Sequence, residues 1–293
     1  RLNYRPSAIA RSLKQDKTFT IGILVPDISN PYFMQISKGI EDIVHGEGYR
    51  LIFASTDENP EKEAHLLHLF HDQRVDVLVL AASAAASRNN QLAQMVELGI
   101  HVILADRRLP GLPLELDTFL EDNVSASREL TECLIRDGHE RIAVIHGGYK
   151  ISTSAERLEG FRMAMEAHGL SVDERYLFDG RFSEEGGKKA VLQSLGMSPR
   201  PTAILALNNA MAFGALLQLN DAGVKIPEEM TVASFGEVEA AKLLKGAGLW
   251  HVRQKPYRMG KEIGKRILAV QKDAELLKVR AEKIFKPEIA RYR

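Results

Sequence analysis

The chain has 293 residues, 45% hydrophobic and 27% charged, the profile of an ordinary globular protein long enough for two hydrophobic cores. Its 39 basic residues balance 39 acidic ones, so the body has no general attraction to nucleic acid and any such affinity has to be local. One cysteine, Cys133, excludes a disulfide framework, and no apolar run is long enough to span a membrane.

The local exception to neutrality comes first. Within residues 1–17, Arg1, Arg5, Arg11, Lys14 and Lys17 oppose only Asp16, and apolar Ile9 and Leu13 stand four apart. Pro6 presets the torsion of a first helical turn, and Ser7 to Lys14 holds no glycine or further proline, so YRPSAIARSLK (Tyr4 to Lys14) reads as a short helix. A helix of roughly eight to ten residues does not persist alone, because nucleation is costly and few bonds repay it. Something outside the segment must order it: the phosphates and minor groove of DNA with Leu13 as a wedge, a membrane surface, or the protein's own body. A basic helix stands where a secretory signal would need an apolar core and a cleavage site, so a cytoplasmic location is expected.

From Thr20 onward, short β-branched runs alternate with segments of helical period, the signature of parallel sheets with crossover helices. IGILVPD (Ile21 to Asp27) is the first strand. Asn30 and Pro31 then open a helix whose Phe33, Ile36, Ile40, Ile43 and Val44 share one face. Strands are expected over 50–56, 75–83 and 101–107, with helices after Pro60 and near 90–98 between them, and LPGLPLEL (Leu109 to Leu116) is a loop rich in proline and glycine. This makes one α/β lobe up to about Asn123. The alternation then restarts, with a helix to Asp137, a strand at 141–148, a helix over 153–168, a strand at 176–182 and a helix to Leu195. A strand at 202–209, a helix to Ala222 and a strand at 230–236 complete the second lobe. KGAGLWHV (Lys245 to Val252) reads as flexible, a last helix covers 256–270, and IFKPEIARYR ends the chain in an extended form. Cys133, set among Leu130, Leu134 and Ile135, suits a small buried hydrophobe better than a reactive thiol.

Several chemical signals dissolve on inspection. His65, His68 and His71 recur on one expected helix without an acidic or cysteine ligand fixed beside them, so they read as a polar face and no metal is expected. Gly186 and Gly187 precede Lys188, but the spacing from Gly180 and the absence of Ser or Thr after the lysine fail the phosphate-loop pattern. Gly246 and Gly248 lack the third glycine of a dinucleotide fingerprint. With no GxSxG elbow and no grouped nucleophile, base and orienting residue, neither a cofactor nor enzymatic activity is expected.

LNYRPSAIARSLK running into TIGILVPDISNPYF resembles the end of the DNA-binding headpiece, the hinge helix and the first strand of the LacI/GalR family of bacterial transcription regulators. The likeness continues along the chain with short irregular gaps. The family's helix-turn-helix does not occur in these residues and is expected upstream of Arg1. The resemblance implies an α/β fold of two doubly wound parallel-sheet lobes, like the type I periplasmic binding proteins, with three crossings of the chain between them. On that pattern residues 1–17 are the hinge, 18–123 plus 253–275 the N-terminal lobe, and 124–252 plus 276–293 the C-terminal lobe. It also implies a homodimer whose paired hinge helices enter the minor groove of operator DNA, with Arg5, Ser7, Ala8, Arg11, Leu13 and Lys14 as the contacts.

Open parallel sheets bind ligands beyond the carboxyl ends of their strands, and two such lobes are expected to close on a small molecule. In the first lobe these ends carry Asn30, Tyr32, Phe33, Ser83, Asp106 and Arg107, which match effector-lining positions of the family, the alternatives being helix capping for Asn30 and helix packing for the two rings. In the second, TSAERLEGF (Thr153 to Phe161) resembles the segment whose arginine holds the ligand, here Arg157, with Thr153 and Ser154 beside it; the alternative role of Arg157 is a salt bridge to Glu156, Glu159 or another surface acid, and its place in the motif favours the ligand. Phe182 stands where relatives stack a ring on sugar or base, and suits an ordinary core position equally. LNNAMAFGAL and SFGE add Asn209, Phe235 and Glu237. Relatives commonly carry aspartate at the positions of Asn209 and Gly236. With those charges gone and Arg107, Arg157 and Arg181 retained, an acidic or phosphorylated sugar-like effector is expected.

The resemblance therefore implies a ligand-gated transcription regulator, a repressor in kind. The competing reading is a solute-binding protein of a sugar transport system, which would need a secretory leader and would leave YRPSAIARSLK without a role.

Overall fold

The structure, a computed structural model, describes residues 17–83, 88–244 and 248–292. The expected DNA contacts at Arg5, Ser7, Ala8, Arg11, Leu13 and Lys14 lie outside these residues. In chain order the first run of elements is β1 (Thr20–Val25), α1 (Pro31–Val44), β2 (Arg50–Ser55), α2 (Pro60–Asp72), β3 (Val77–Leu80), α3 (Arg88–Glu97), β4 (His101–Ala105) and β5 (Asp117–Glu121). Then come α4 (Asn123–Arg136), β6 (Ile142–His146), α5 (Ser152–Ala167), β7 (Leu177–Asp179), α6 (Glu184–Leu195), β8 (Ala203–Ala206), α7 (Asn209–Asp221) and β9 (Thr231–Ser234). The last are β10 (Trp250–Arg253), α8 (Pro256–Lys272), β11 (Glu282–Phe285) and β12 (Glu288–Arg291).

Among the described residues these strands form two six-stranded sheets, ordered β11-β5-β4-β3-β1-β2 and β12-β10-β9-β8-β6-β7. Each belongs to its own compact unit, one ending at residue 120 and resuming over 255–285, the other covering 121–254 and continuing from 286. In the first sheet the steps from β2 through β5 are parallel. Its central strands are buried on both faces, which is why they read as unbroken apolar runs. Ile21, Ile23, Val77 and Val79 join one core cluster, whereas Leu24, Leu78 and Leu80 join a second. In the second unit β6, β8 and β9 are fully buried in a single large cluster, and β12 closes the sheet antiparallel to β10.

Local chemistry sets the helix starts. Asn30 and Asn59 each accept a backbone N–H from the first turn that follows, with proline at the first helical position, so α1 and α2 begin where the strand before them ends. In the first unit α1 packs closely on α8, because Gly260 lets the backbone at Ile36 approach to a distance that any side chain would block.

Three expectations need correction. Strand β5 was not anticipated, because DTFLED mixes three acids into a short run; Asp117 and Glu121 are nonetheless buried within it. Of the stretch 245–252, expected to be flexible, residues 245–247 lie outside the described ones, while Trp250 and His251 belong to β10 and pair with β9. The crossing expected at 275 falls after Phe285, so 276–285 stays with the first unit.

A buried hub explains that last difference. The fully buried Asp117 carboxylate accepts from His101 Nε2 at 2.7 Å, Arg266 Nε at 2.7 Å, Arg266 Nη2 at 3.1 Å and the backbone N–H of Ala281 at 2.8 Å. Arg266 Nη2 also reaches the carbonyls of Leu276 and Val279, at 2.7 and 2.6 Å. The connection after α8 is thus stapled to β4, β5 and α8 before β11 begins. Burial alone would raise the Asp117 carboxyl, but the bonds from His101, Arg266 and Ala281 outweigh it and hold its pKa at about 2.

Candidate functional site

In the first unit the ends of β1 to β4 bring the expected residues to a few neighbouring turns. Asn30 caps α1 by accepting from the N–H of Tyr32 at 3.0 Å. Tyr32 and Phe33 sit edge to face with centroids 5.2 Å apart, Tyr32 half-buried and Phe33 within the core cluster. Phe33 is therefore chiefly a packing residue, and Tyr32 the more exposed of the two rings. Beyond β3, the backbone N–H of Ser83 donates to the buried Glu63 carboxylate at 2.6 Å, while Ser83 Oγ is buried without a hydrogen-bond partner among the described residues.

Asp106 and Arg107 follow β4 and are both nearly inaccessible. Asp106 adopts a left-handed backbone (φ 68°), a conformation that costs a non-glycine residue of order 1 kcal/mol or more and tends to mark functional turns. Its Oδ1 is buried and makes no hydrogen bond among the described residues. The guanidinium of Arg107 is gripped by Glu58 through two bonds, Nη1 to Oε2 at 2.9 Å and Nη2 to Oε1 at 2.6 Å, and Nη1 also donates to the Ala82 carbonyl at 2.9 Å. Asp106 Oδ2 lies 3.7 Å from Arg107 Nε. Burial disfavours the Arg107 cation, but the Glu58 bonds and the charges of Glu58, Asp106 and Glu63 more than offset it and raise its pKa above the ordinary value.

In the second unit the cluster is built on glycine and amide chemistry. Gly147, just after β6, has no side chain, and any Cβ there would collide with the Phe182 ring lying across it. Its N–H donates to Ser154 Oγ at 2.9 Å, which ties the start of α5 to the end of β6. Phe182 is placed there by a turn in which it and Arg181 are both left-handed (φ 54° and 49°). Asn208 holds that turn through Nδ2 to the Phe182 carbonyl at 3.3 Å. Arg157 is buried; its Nε donates to Asn123 Oδ1 and its Nη1 to the Leu207 carbonyl, both at 2.8 Å, and its Cζ lies 3.8 Å above the centre of the Phe235 ring. Ser154, Arg157, Phe182 and Phe235 are thus drawn around Gly147 and Leu207, and Thr153 is buried beside them on α5.

Asn209 starts α7, and an imagined Cβ on Gly236 would lie 3.5 Å from its Cβ and 3.1 Å from Gln254 Oε1. The amide of Gln254 therefore stands where an aspartate side chain at 236 would begin. Glu237 turns elsewhere, its Oε1 being 3.8 Å from both Arg253 Nε and His251 Nε2. Arg181 is exposed, with its N–H on Asp179 Oδ1 at 3.0 Å.

Glu58, Asn123 and Gln254 were not singled out from the sequence. Glu58 lies in the polar loop TDENP, where nothing local distinguishes it from a solvated acid. Of the three cations behind the expectation of an acidic effector, Arg107 has its fork occupied by Glu58. His65 and His68 are not buried on α2, as a polar face requires.

Two α/β units with buried polar residues at the strand ends define a two-domain small-molecule-binding protein. The family of periplasmic binding proteins and sugar-binding domains of LacI-type regulators matches residues 18–278. The transcriptional repressor PurR of Histophilus somni is 30% identical over 295 aligned residues, covering 98% of this chain and 86% of that protein. Catabolite control protein A of Staphylococcus epidermidis is 31% identical, over 92% of this chain and 79% of its own length. Among solved structures, a LacI family transcriptional regulator from Enterococcus faecium with bound ribose superposes with a TM-score of 0.79 at 26% identity, covering 93% of this chain and 97% of that one. The chain belongs to the LacI family, and its function is that of a ligand-responsive transcriptional repressor rather than a transport receptor. No helix among the described residues is long and apolar enough to cross a membrane.

Proposed function

We propose that the protein represses transcription as a cytoplasmic homodimer, with a small carbohydrate-like effector at the strand-end residues controlling operator binding through Arg5, Ser7, Ala8, Arg11, Leu13 and Lys14. The observation that carries the effector reading is Arg157: a buried guanidinium pinned by Asn123 and Leu207 over the Phe235 ring. A charged fork of donors beside aromatic faces suits a ring bearing several hydroxyls. The ribose in the Enterococcus faecium relative supports the same class of ligand. Effector and operator must influence each other reciprocally, with a coupling of about 1 to 3 kcal/mol as the ordinary size.

A thermal-shift screen of neutral sugars, sugar acids and sugar phosphates tests this reading, followed by calorimetry on the hits. At least one sugar should stabilise the protein, and Arg157→Ala should abolish its binding while circular dichroism stays unchanged. Binding that survives Arg157→Ala removes that residue from the site. In the full-length protein Leu13→Ala should weaken operator binding; an unaltered operator affinity rejects the wedge.

A further inference from the structure

Arg107 looks in the sequence like a cation for an anionic ligand, and its surroundings argue otherwise. A guanidinium can match a carboxylate with two parallel bonds along either of two edges, Nη1/Nη2 or Nη2/Nε; at Arg107 the first edge is the one taken, and Asp106 Oδ2 lies 3.7 Å from Nε on the other. Here that carboxylate comes from the protein itself, through the two bonds to Glu58. Glu58 is not delivered by chance. It follows Asp57 in a turn where both residues are left-handed (φ 53° and 55°), and Asp57 is anchored by Ser55 Oγ at 2.6 Å and by Lys62. A backbone held in two unfavourable conformations to aim one side chain at one arginine is what a built contact looks like.

Charge balance points the same way. Around the Arg107 cation stand the carboxylates of Glu58, Asp106 and Glu63. Among the described residues Asp106 Oδ1 is buried without a hydrogen bond, an acceptor whose lost hydration none of them restores. A hydroxyl group can donate to it. A carboxylate or phosphate has no donor to give, would meet like charge, and would have to displace two charge-assisted bonds to reach Arg107.

We infer that Glu58 is a specificity-determining residue: by filling the fork of Arg107 it leaves the first unit offering the Asp106 Oδ1 acceptor instead of a cation, and so selects an uncharged polyol over sugar acids and sugar phosphates. This rests on the carbohydrate reading proposed above, and replaces the acidic effector expected from the sequence.

The test is calorimetry with matched probes, glucose against glucuronate and glucose 6-phosphate, and ribose against ribose 5-phosphate, on the wild-type chain, Glu58→Gln and Glu58→Ala. The wild type should prefer the neutral member, and both variants should shift the neutral-to-charged affinity ratio toward the charged member by about tenfold or more, the scale of one charge-assisted contact. In parallel, sodium acetate should raise the melting temperature of Glu58→Ala more than that of the wild type, because acetate can enter the vacated fork. A charged probe that binds the wild type as tightly as its neutral partner overturns the inference alone, as does an unchanged ratio in the variants or an acetate effect equal in both proteins. If no sugar of either charge binds, the carbohydrate reading falls and takes this inference with it.

Discussion

Arg107 and Arg157 are both buried near the strand ends of their own units, and the two units accommodate them differently. The first surrounds its arginine with carboxylates, so the cation is matched within the protein. The contacts that hold the second unit's arginine include an amide oxygen, a main-chain carbonyl and the face of a ring. An arginine at a strand end therefore says little about ligand charge until its acceptors are known.

The sharpest way to break this contrast is to remove each arginine in turn. Arg107→Met leaves Glu58 and Asp106 together without their cation, and should cost about 3 to 5 kcal/mol in denaturant unfolding, the usual consequence of stranding one side of a buried ion pair. Adding Glu58→Gln to it should recover part of that loss, since the stranded charge goes with it.

Acid should separate the two units next. His251, stacked 4.0 Å from the Tyr292 ring in the second unit, has its pKa lowered to about 4 from an ordinary 6.5, by burial first and then by Arg253 and Lys242, with the Leu249 backbone opposing in part. The unfolded chain takes up a proton that the folded one refuses, so the second unit loses up to about 3 kcal/mol as pH falls from about 6.5 toward 4. In the first unit the Asp117 carboxyl, at about 2 against an ordinary 3.8, contributes stability above pH 4 that fades as pH drops toward 2. Hydrogen exchange followed against pH should show the second unit loosening first, and His251→Phe should diminish that early step, part of which stays with His139 and His146, whose pKa values burial also lowers. Simultaneous loosening of both units would contradict the assignment.

Arg157→Met should cost about 2 kcal/mol, from two acceptors left without donors and the lost ring contact, and less than Arg107→Met. A larger cost than that of Arg107→Met would reverse the comparison. An effect of similar size is expected at Gly147→Ala, where the new methyl must push the Phe182 ring aside at about 1 to 3 kcal/mol, with weaker effector binding in calorimetry.

Particular residues show how far the chain could be read in advance. Ile21 to Val25 and Val77 to Leu80 are apolar or glycine at every step because both faces of their sheet are covered, and that pattern is visible without coordinates. The capping pairs Asn30 with Pro31 and Asn59 with Pro60 mark helix starts by local bonds alone. Asp117 misled for a physical reason: an acid in a short run looks like a loop, and only its four distant donors make it a buried strand residue. Glu58 was illegible in the same sense, because its partner is 49 residues away.

The amino-acid order on its own determined the alternation of strand and helix, the residues that would stand at strand ends, and the family, since each depends on spacing along the chain. The tertiary structure alone decided that 276–285 belongs to the first unit, that Gln254 fills the space beside Gly236, and that Glu58 closes the fork of Arg107. Periodicity reports which face of an element avoids water; it carries no information about which distant charge will meet another once that face is buried.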